Sequence, residues 1–262
     1  MESLALFKIA LFLVIIIPAP KQSYCQTVNF AVYAEKQEDC KEFAETAEKF
    51  RKEISERWLG YVVADLNSPC ILDLKINPNA GPRGNTSFAF QFGGVWNFRM
   101  ELVGPKESLL DSVLPHEIAH IVLACHFKKP VPRWADEGCA TYVECVREQK
   151  IHNRMLRRFL IQQRTFAFAH IMTMKEYPRD IMPFYAGSHS LCEYLVKLKG
   201  ERHFISYISE GMQTQNWEEA TKKYYGFEKM KDLGNSWHRW FFQNDYAKLK
   251  MVSTPKTTIS SK

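Results

Sequence analysis

The chain is expected to fold as an α+β protein. A small N-terminal mixed sheet, with a hairpin packed on the helix that carries His116-Glu117-Ile118-Ala119-His120, should be followed by a mostly helical C-terminal half. Three observations predict this. Short runs of β-type residues bounded by turn formers are confined to residues 26–107. Apolar residues recur at helical spacing through most of 108–250. Gly93-Gly94 separates two such β-type runs directly ahead of the first strongly apolar helix, which is a hairpin signature.

The elements follow in order. Ile9 to Ile17 is an unbroken apolar run after Lys8 that ends at Pro18-Ala19-Pro20. It is too short to span a bilayer comfortably and reads as the core of a signal peptide over 1–25, with cleavage after Ala19 or Cys25. The protein is therefore expected to be exported, secreted or periplasmic, unless the segment stays as an uncleaved anchor. Residues 27–34 alternate as a strand, and residues 36–59 place Phe43, Ala47, Phe50, Ile54 and Trp58 on one helical face, with Gly60 as the stop. Cys70–Ile76 is a strand, and 77–85, with two prolines and two glycines, is a loop. Residues 86–92 and 95–103 form the hairpin. Helices are expected over 108–127, 134–149, 151–163, 185–199, 201–211, 216–224 and 229–247, and a disordered tail over 251–262. One domain thus covers 26–250, with an α/β part at 26–107 and a helical part at 108–250.

His116 and His120 are four residues apart, so on a helix both imidazoles project from the same face. Two neutral imidazoles converging on one point suit a tetrahedral Zn²⁺, and Glu117 beside them is placed to take a proton from a zinc-bound water. The bland alternative is a pair of solvated or core histidines. Leu109, Leu110, Val113, Leu114, Ile118, Ile121, Val122 and Leu123 make this helix too apolar to be exposed, and ionisable groups on a buried helix need partners. Pro115 should kink or restart the helix.

A catalytic zinc normally takes three protein ligands. Glu137 is the candidate third, seventeen residues after His120. Pro130 and Pro132 would end the first helix and free the chain to double back, placing Glu137 in the first turn of a second helix facing the histidines. Asp136 competes, but it is one methylene shorter and about 100° away around the helix. Glu137 could also be an ordinary first-turn carboxylate complementing the helix dipole.

His116, Glu117 and His120, followed by Trp134, Glu137, Gly138 and Ala140, resemble the gluzincin class of zinc metallopeptidases. The wider strings Asp111 to Pro115 and Arg133 to Gly138 look like secreted bacterial gluzincin-like proteins. The resemblance is specific over 109–144 and modest elsewhere. It implies one Zn²⁺ per chain held by His116, His120 and Glu137, with Glu117 as general base in hydrolysis of a peptide or protein substrate. It also implies a donor for the oxyanion, for which Tyr185 is the candidate and His189, one helical turn on, the competitor. The 95–103 hairpin would supply the edge strand that pairs with an extended substrate.

Formal charge is +6 and widely spread, with the densest basic cluster at Arg154, Arg157 and Arg158. A solvated face explains it, and no nucleic-acid motif accompanies it. The seven cysteines fall to six if Cys25 leaves with the leader, and in an oxidising compartment six suggest disulfides, for instance Cys40 with Cys70, or Cys125 with Cys139 or Cys145. Two other functions remain open: hydrolysis of another amide, such as a cell-wall peptide, and a non-catalytic zinc-bearing binding protein. Glu117 argues against the last, since a structural site needs no general base.

Overall fold

The computed structural model describes residues 22–174 and 176–253. The expected leader up to residue 21 and the tail beyond 253 lie outside the described residues. The architecture is α+β, with the sheet in the N-terminal part and helices after it. The sheet has five strands in the order β1-β2-β3-β5-β4: β1 Ser23–Gln26, β2 Phe30–Ala34, β3 Cys70–Ile76, β4 Arg83–Gln91 and β5 Gly94–Gly104. The β1–β2 and β4–β5 pairs are antiparallel, whereas β2–β3 and β3–β5 are parallel, so the sheet is mixed as expected. A cut after Cys25 would fall inside β1, where Cys25 pairs with Val32; a cut after Ala19 would spare the strand.

Parallel pairing of β2 with β3 requires a crossover, supplied by helix α1, Gln37–Leu59. Gly60 ends it in the left-handed region, φ 82°, and its N–H donates to Glu56 O at 3.0 Å. Phe92 and Gly93 both have positive φ, 51° and 72°, which makes the β4–β5 turn the I′ type whose twist matches the strands. Asn97, φ 58°, forms a bulge in β5 opposite Ser87 to Ala89. One expectation needs correcting here. The edge strand on this side of the sheet is β4, not the 95–103 strand, because β5 is paired on both sides; β4 also starts at Arg83, three residues earlier than predicted.

The Lys106–Phe127 helix is long and apolar enough to cross a membrane, yet most of it is buried within the fold. It comprises α2 Lys106–Ser108, a π-helical turn over Leu109–Val113, and α3 Leu114–Phe127. The π turn is the local answer to Pro115, which lacks an N–H and whose ring would crowd the carbonyl of Asp111. Lys128, φ 52°, caps α3, and the chain turns through Pro130 and Pro132 into α4, Arg133–Tyr142. The helix expected over 134–149 breaks at Val143–Cys145, and α5 runs Val146–Ile161. Then come α6 Phe168–Thr173, α7 Ile181–Lys199, α8 Glu201–Thr214, α9 Trp217–Tyr225 and α10 Met230–Ser253. α7 starts four residues before the predicted 185, since Pro183 sits in the first turn, where a missing N–H costs nothing.

α3 packs on the sheet and on α1, and α4 is pinned from two directions. Trp134, fully buried, meets Phe204, Tyr207 and Trp217 at ring-centroid distances of 5.9, 6.4 and 5.9 Å. Gly138 lets α7 approach: a Cβ there would stand 2.8 Å from Ser188 O and 2.9 Å from Cys192 Cβ. All seven cysteines are free thiols. Cys40 neighbours Cys25, and Cys139 neighbours Cys192, so none of the expected disulfide pairs is the one the fold brings together.

Gly138→Val should force α4 and α7 apart and cost about 1–3 kcal/mol, the usual range for overpacking. Thermal unfolding of the variant against the parent checks this; an unchanged midpoint would contradict the close approach.

Candidate metal centre

One turn apart on α3, His116 and His120 face Glu137, just past the first turn of α4. Glu137 Oε2 is 3.5 Å from His116 Nε2 and 3.9 Å from His120 Nε2, and one ligand atom from each of the three residues lies within 4.8 Å of the others. Donors bound tetrahedrally at about 2.1 Å from a zinc ion stand roughly 3.4 Å apart, so a slight closure would place all three on one metal. Glu137 is 2% exposed and its Oε2 has no hydrogen-bond partner. A buried carboxylate oxygen without a partner is costly, and a cation between the three side chains supplies what it lacks. The residues therefore fit a metal ion.

Each proposed ligand is held from behind. His116 Nδ1 hydrogen-bonds Glu144 Oε1 at 2.7 Å. Asp136 Oδ1 lies 3.0 Å from His120 Nδ1, close enough for charge pairing though out of line for a good hydrogen bond. The competition between Asp136 and Glu137 is thus resolved by geometry: Asp136 braces His120 from the side away from the cluster. The Tyr177 hydroxyl donates to Glu137 Oε1, and Arg133 covers the Tyr177 ring at 4.2 Å from its centroid. Such carboxylate–imidazole contacts fix ring orientation and leave Nε2 free for a metal.

The charge balance of the cluster is legible in its proton affinities. Burial alone would lower the His116 pKa, but the Glu137 and Glu144 carboxylates outweigh it and raise it well above the usual value. His120 is raised to about 9, burial being overcome by Asp136 and Glu137. For Glu137, burial pushes upward, yet the two imidazoles and Tyr177 hold the carboxyl at about 2. Without a metal the histidines therefore keep protons that a cation must displace.

The cluster lines a cleft of about 1250 Å³. Glu117 also lines it, 5% exposed, and Gly84 on β4 leaves it room, because a Cβ at that position would overlap Glu117 Oε1. Tyr185, on the first turn of α7, faces the same cleft, and burial raises its hydroxyl pKa. His189 does not line the cleft. α7 is buried on nearly all sides, and at this position its side chain turns to His152 on α5.

Sequence reasoning placed His116, Glu117, His120, Glu137 and Tyr185 in one cleft, and it missed Glu144, Tyr177 and Gly84. Glu144 falls inside the 134–149 span whose pattern predicts one continuous helix, and Tyr177 falls between the predicted helices over 151–163 and 185–199. Gly84 carried a signal, a lone glycine just ahead of a strand beside the active helix. No protein-family model, curated protein or solved structure matches the chain.

Glu137→Ala should abolish tight metal binding, and Glu144→Gln should weaken it by about 10–100-fold, as loss of an outer partner typically does. Competition with a chelator reads both. Because His116 and His120 gain protons when the metal leaves, apparent metal affinity should rise by roughly tenfold per pH unit for each proton displaced between pH 6.5 and 9. For the metal-free fold, the raised His120 pKa gives stability that is full below about 6.5 and lost as pH rises to about 9. Unfolding measured across that window, with and without metal, tests the sign.

Proposed function

We propose that the chain is a zinc metallopeptidase of the gluzincin type, exported by its N-terminal leader, that hydrolyses peptide bonds. One observation carries the reading: the His116–His120–Glu137 cluster shares a cleft with the buried Glu117 carboxylate, a group that a purely structural metal site has no use for. A zinc ion bound there would polarise the scissile carbonyl and acidify a water. Glu117 is the base for that water's proton and carries it to the leaving amine. Tyr185 offers its hydroxyl to the developing oxyanion. Tyr177 and Glu144 keep Glu137 and His116 in place while charge shifts in the cleft.

Substrate binding in this reading uses β4. Among the described residues its outer edge has no strand partner, and its residues from Arg83 to Ser87 line the cleft above Glu117. An extended peptide can add to that edge by main-chain hydrogen bonds. Phe88, Phe90, Met172, Met174 and Met182 add apolar surface along the cleft and favour substrates with apolar side chains near the scissile bond.

The zinc-loaded protein should cleave members of a mixed peptide library. Glu117→Gln should keep the metal and lose about 10²–10⁴-fold in kcat. Mass-spectrometric detection of products decides it. Absence of any cleavage by the loaded protein, or full activity in Glu117→Gln, would sink the peptidase reading while leaving the metal centre standing.

A further inference from the structure

Beside the metal cluster, α5 and α7 bring together a second set of polar side chains, of which His152 also borders the cleft. His189 is 0% exposed, and neither of its ring nitrogens has a hydrogen-bond partner. His152 Nδ1 and Asn153 Oδ1, from α5, are likewise buried and unpartnered. The His152 and His189 ring centroids are 5.9 Å apart. On the outer side, Asn153 Nδ2 donates to Glu193 Oε2 at 3.1 Å, and Lys197 Nζ donates to Glu193 Oε1 at 2.7 Å. On the inner side, His152 Nε2 stands 3.8 Å from Glu144 Oε2, whose other oxygen holds His116. A polar track therefore runs from the half-exposed Lys197 to the back of a proposed metal ligand.

Four buried polar atoms on facing helices have no hydrogen-bond partner and call for one. Its chemistry follows from theirs. Burial lowers the pKa of His152 and brings that of His189 to about 4, so both rings are neutral. A neutral imidazole presents one N–H and one lone pair, and Asn153 Oδ1 presents an acceptor. Of the carboxylates that face the pair, Glu193 is neutralised by Lys197, and Glu144 is committed to His116. A mixed set of donors and acceptors with no net charge suits water rather than an anion or a metal ion. Two hydrogen bonds of about 2.8 Å through one water span nitrogens up to roughly 5.6 Å apart, which the ring separation allows.

We infer that ordered water between α5 and α7 bridges His189 to His152 and Asn153 and so supports the Glu144 carboxylate behind His116. His189 is then a positioning residue acting through water, not a group that meets substrate. The inference concerns the metal centre and stands whether or not the protein is a peptidase.

The test uses His189→Leu and His189→Gln in the full chain, with three readouts: a high-resolution crystal structure of the parent, thermal unfolding without metal, and affinity for Zn²⁺ by chelator competition. The parent should show ordered water between the two imidazoles. His189→Leu should lower the unfolding temperature by several degrees and weaken zinc binding several-fold, and His189→Gln, which keeps a donor and an acceptor, should recover most of both. No water between the two imidazoles in the parent overturns the inference. So does His189→Leu with unchanged zinc affinity, or with a raised unfolding temperature, as removal of an unhydrated buried histidine would give. Should His189→Leu fail to fold, the water in the parent and the zinc affinity of His189→Gln decide the matter.

Discussion

Burying two imidazoles and a carboxylate a few ångströms apart is unfavourable unless every charge finds an answer. In this fold the answers come in layers. Glu137 meets His116 and His120, Glu144 and Asp136 meet the far sides of those rings, and Tyr177 meets the far side of Glu137. All of this depends on α4 returning along α3. The left-handed Lys128 cap and the two prolines after it turn the chain, while Trp134 and Gly138 hold α4 against the helices behind it. Loosen that packing and the cluster has nothing to keep its charges together.

The sheet contributes in a different way. α3 lies across it, so β4, one of its two edge strands, borders the cleft that the metal residues line. Gly84 is where this arrangement is tightest, since the backbone of β4 comes close enough to Glu117 to leave no space for a side chain. The Glu117 carboxylate and the strand edge are thus set at one fixed distance by the absence of a single methyl group. Helix, strand and returning helix each supply a different chemical role, and none of them could build the site alone.

How far the sequence discloses this depends on the range of the interactions involved. The β3 strand and α1 with its Gly60 cap are local patterns, and both were legible. So was the pairing of an HExxH helix with a glutamate seventeen residues on, because the two prolines between them dictate a reversal. The break at Val143–Cys145 was not legible, since no glycine or proline marks it, and Glu144 went unseen with it. Tyr177 belongs to a connection between helices whose path is set by tertiary packing. His189 was misplaced for a related reason: spacing gives the face of a helix, but a helix buried on nearly all sides has no single face that looks into a cleft.

The π-helical turn at Leu109–Val113 has a consequence for how such a site can be built at all. An ordinary helix ties the direction in which a chain leaves a strand to the angle at which its side chains point several turns later. One extra residue in a single turn breaks that tie. Upstream, Lys106 stays anchored to Asp39 and Glu42 of α1 at 2.6 Å each. Downstream, the imidazoles are rotated by about 100° relative to where an uninterrupted helix would aim them. The turn is a phase adjuster, allowing the sheet scaffold and the aim of the histidines to be set independently of one another.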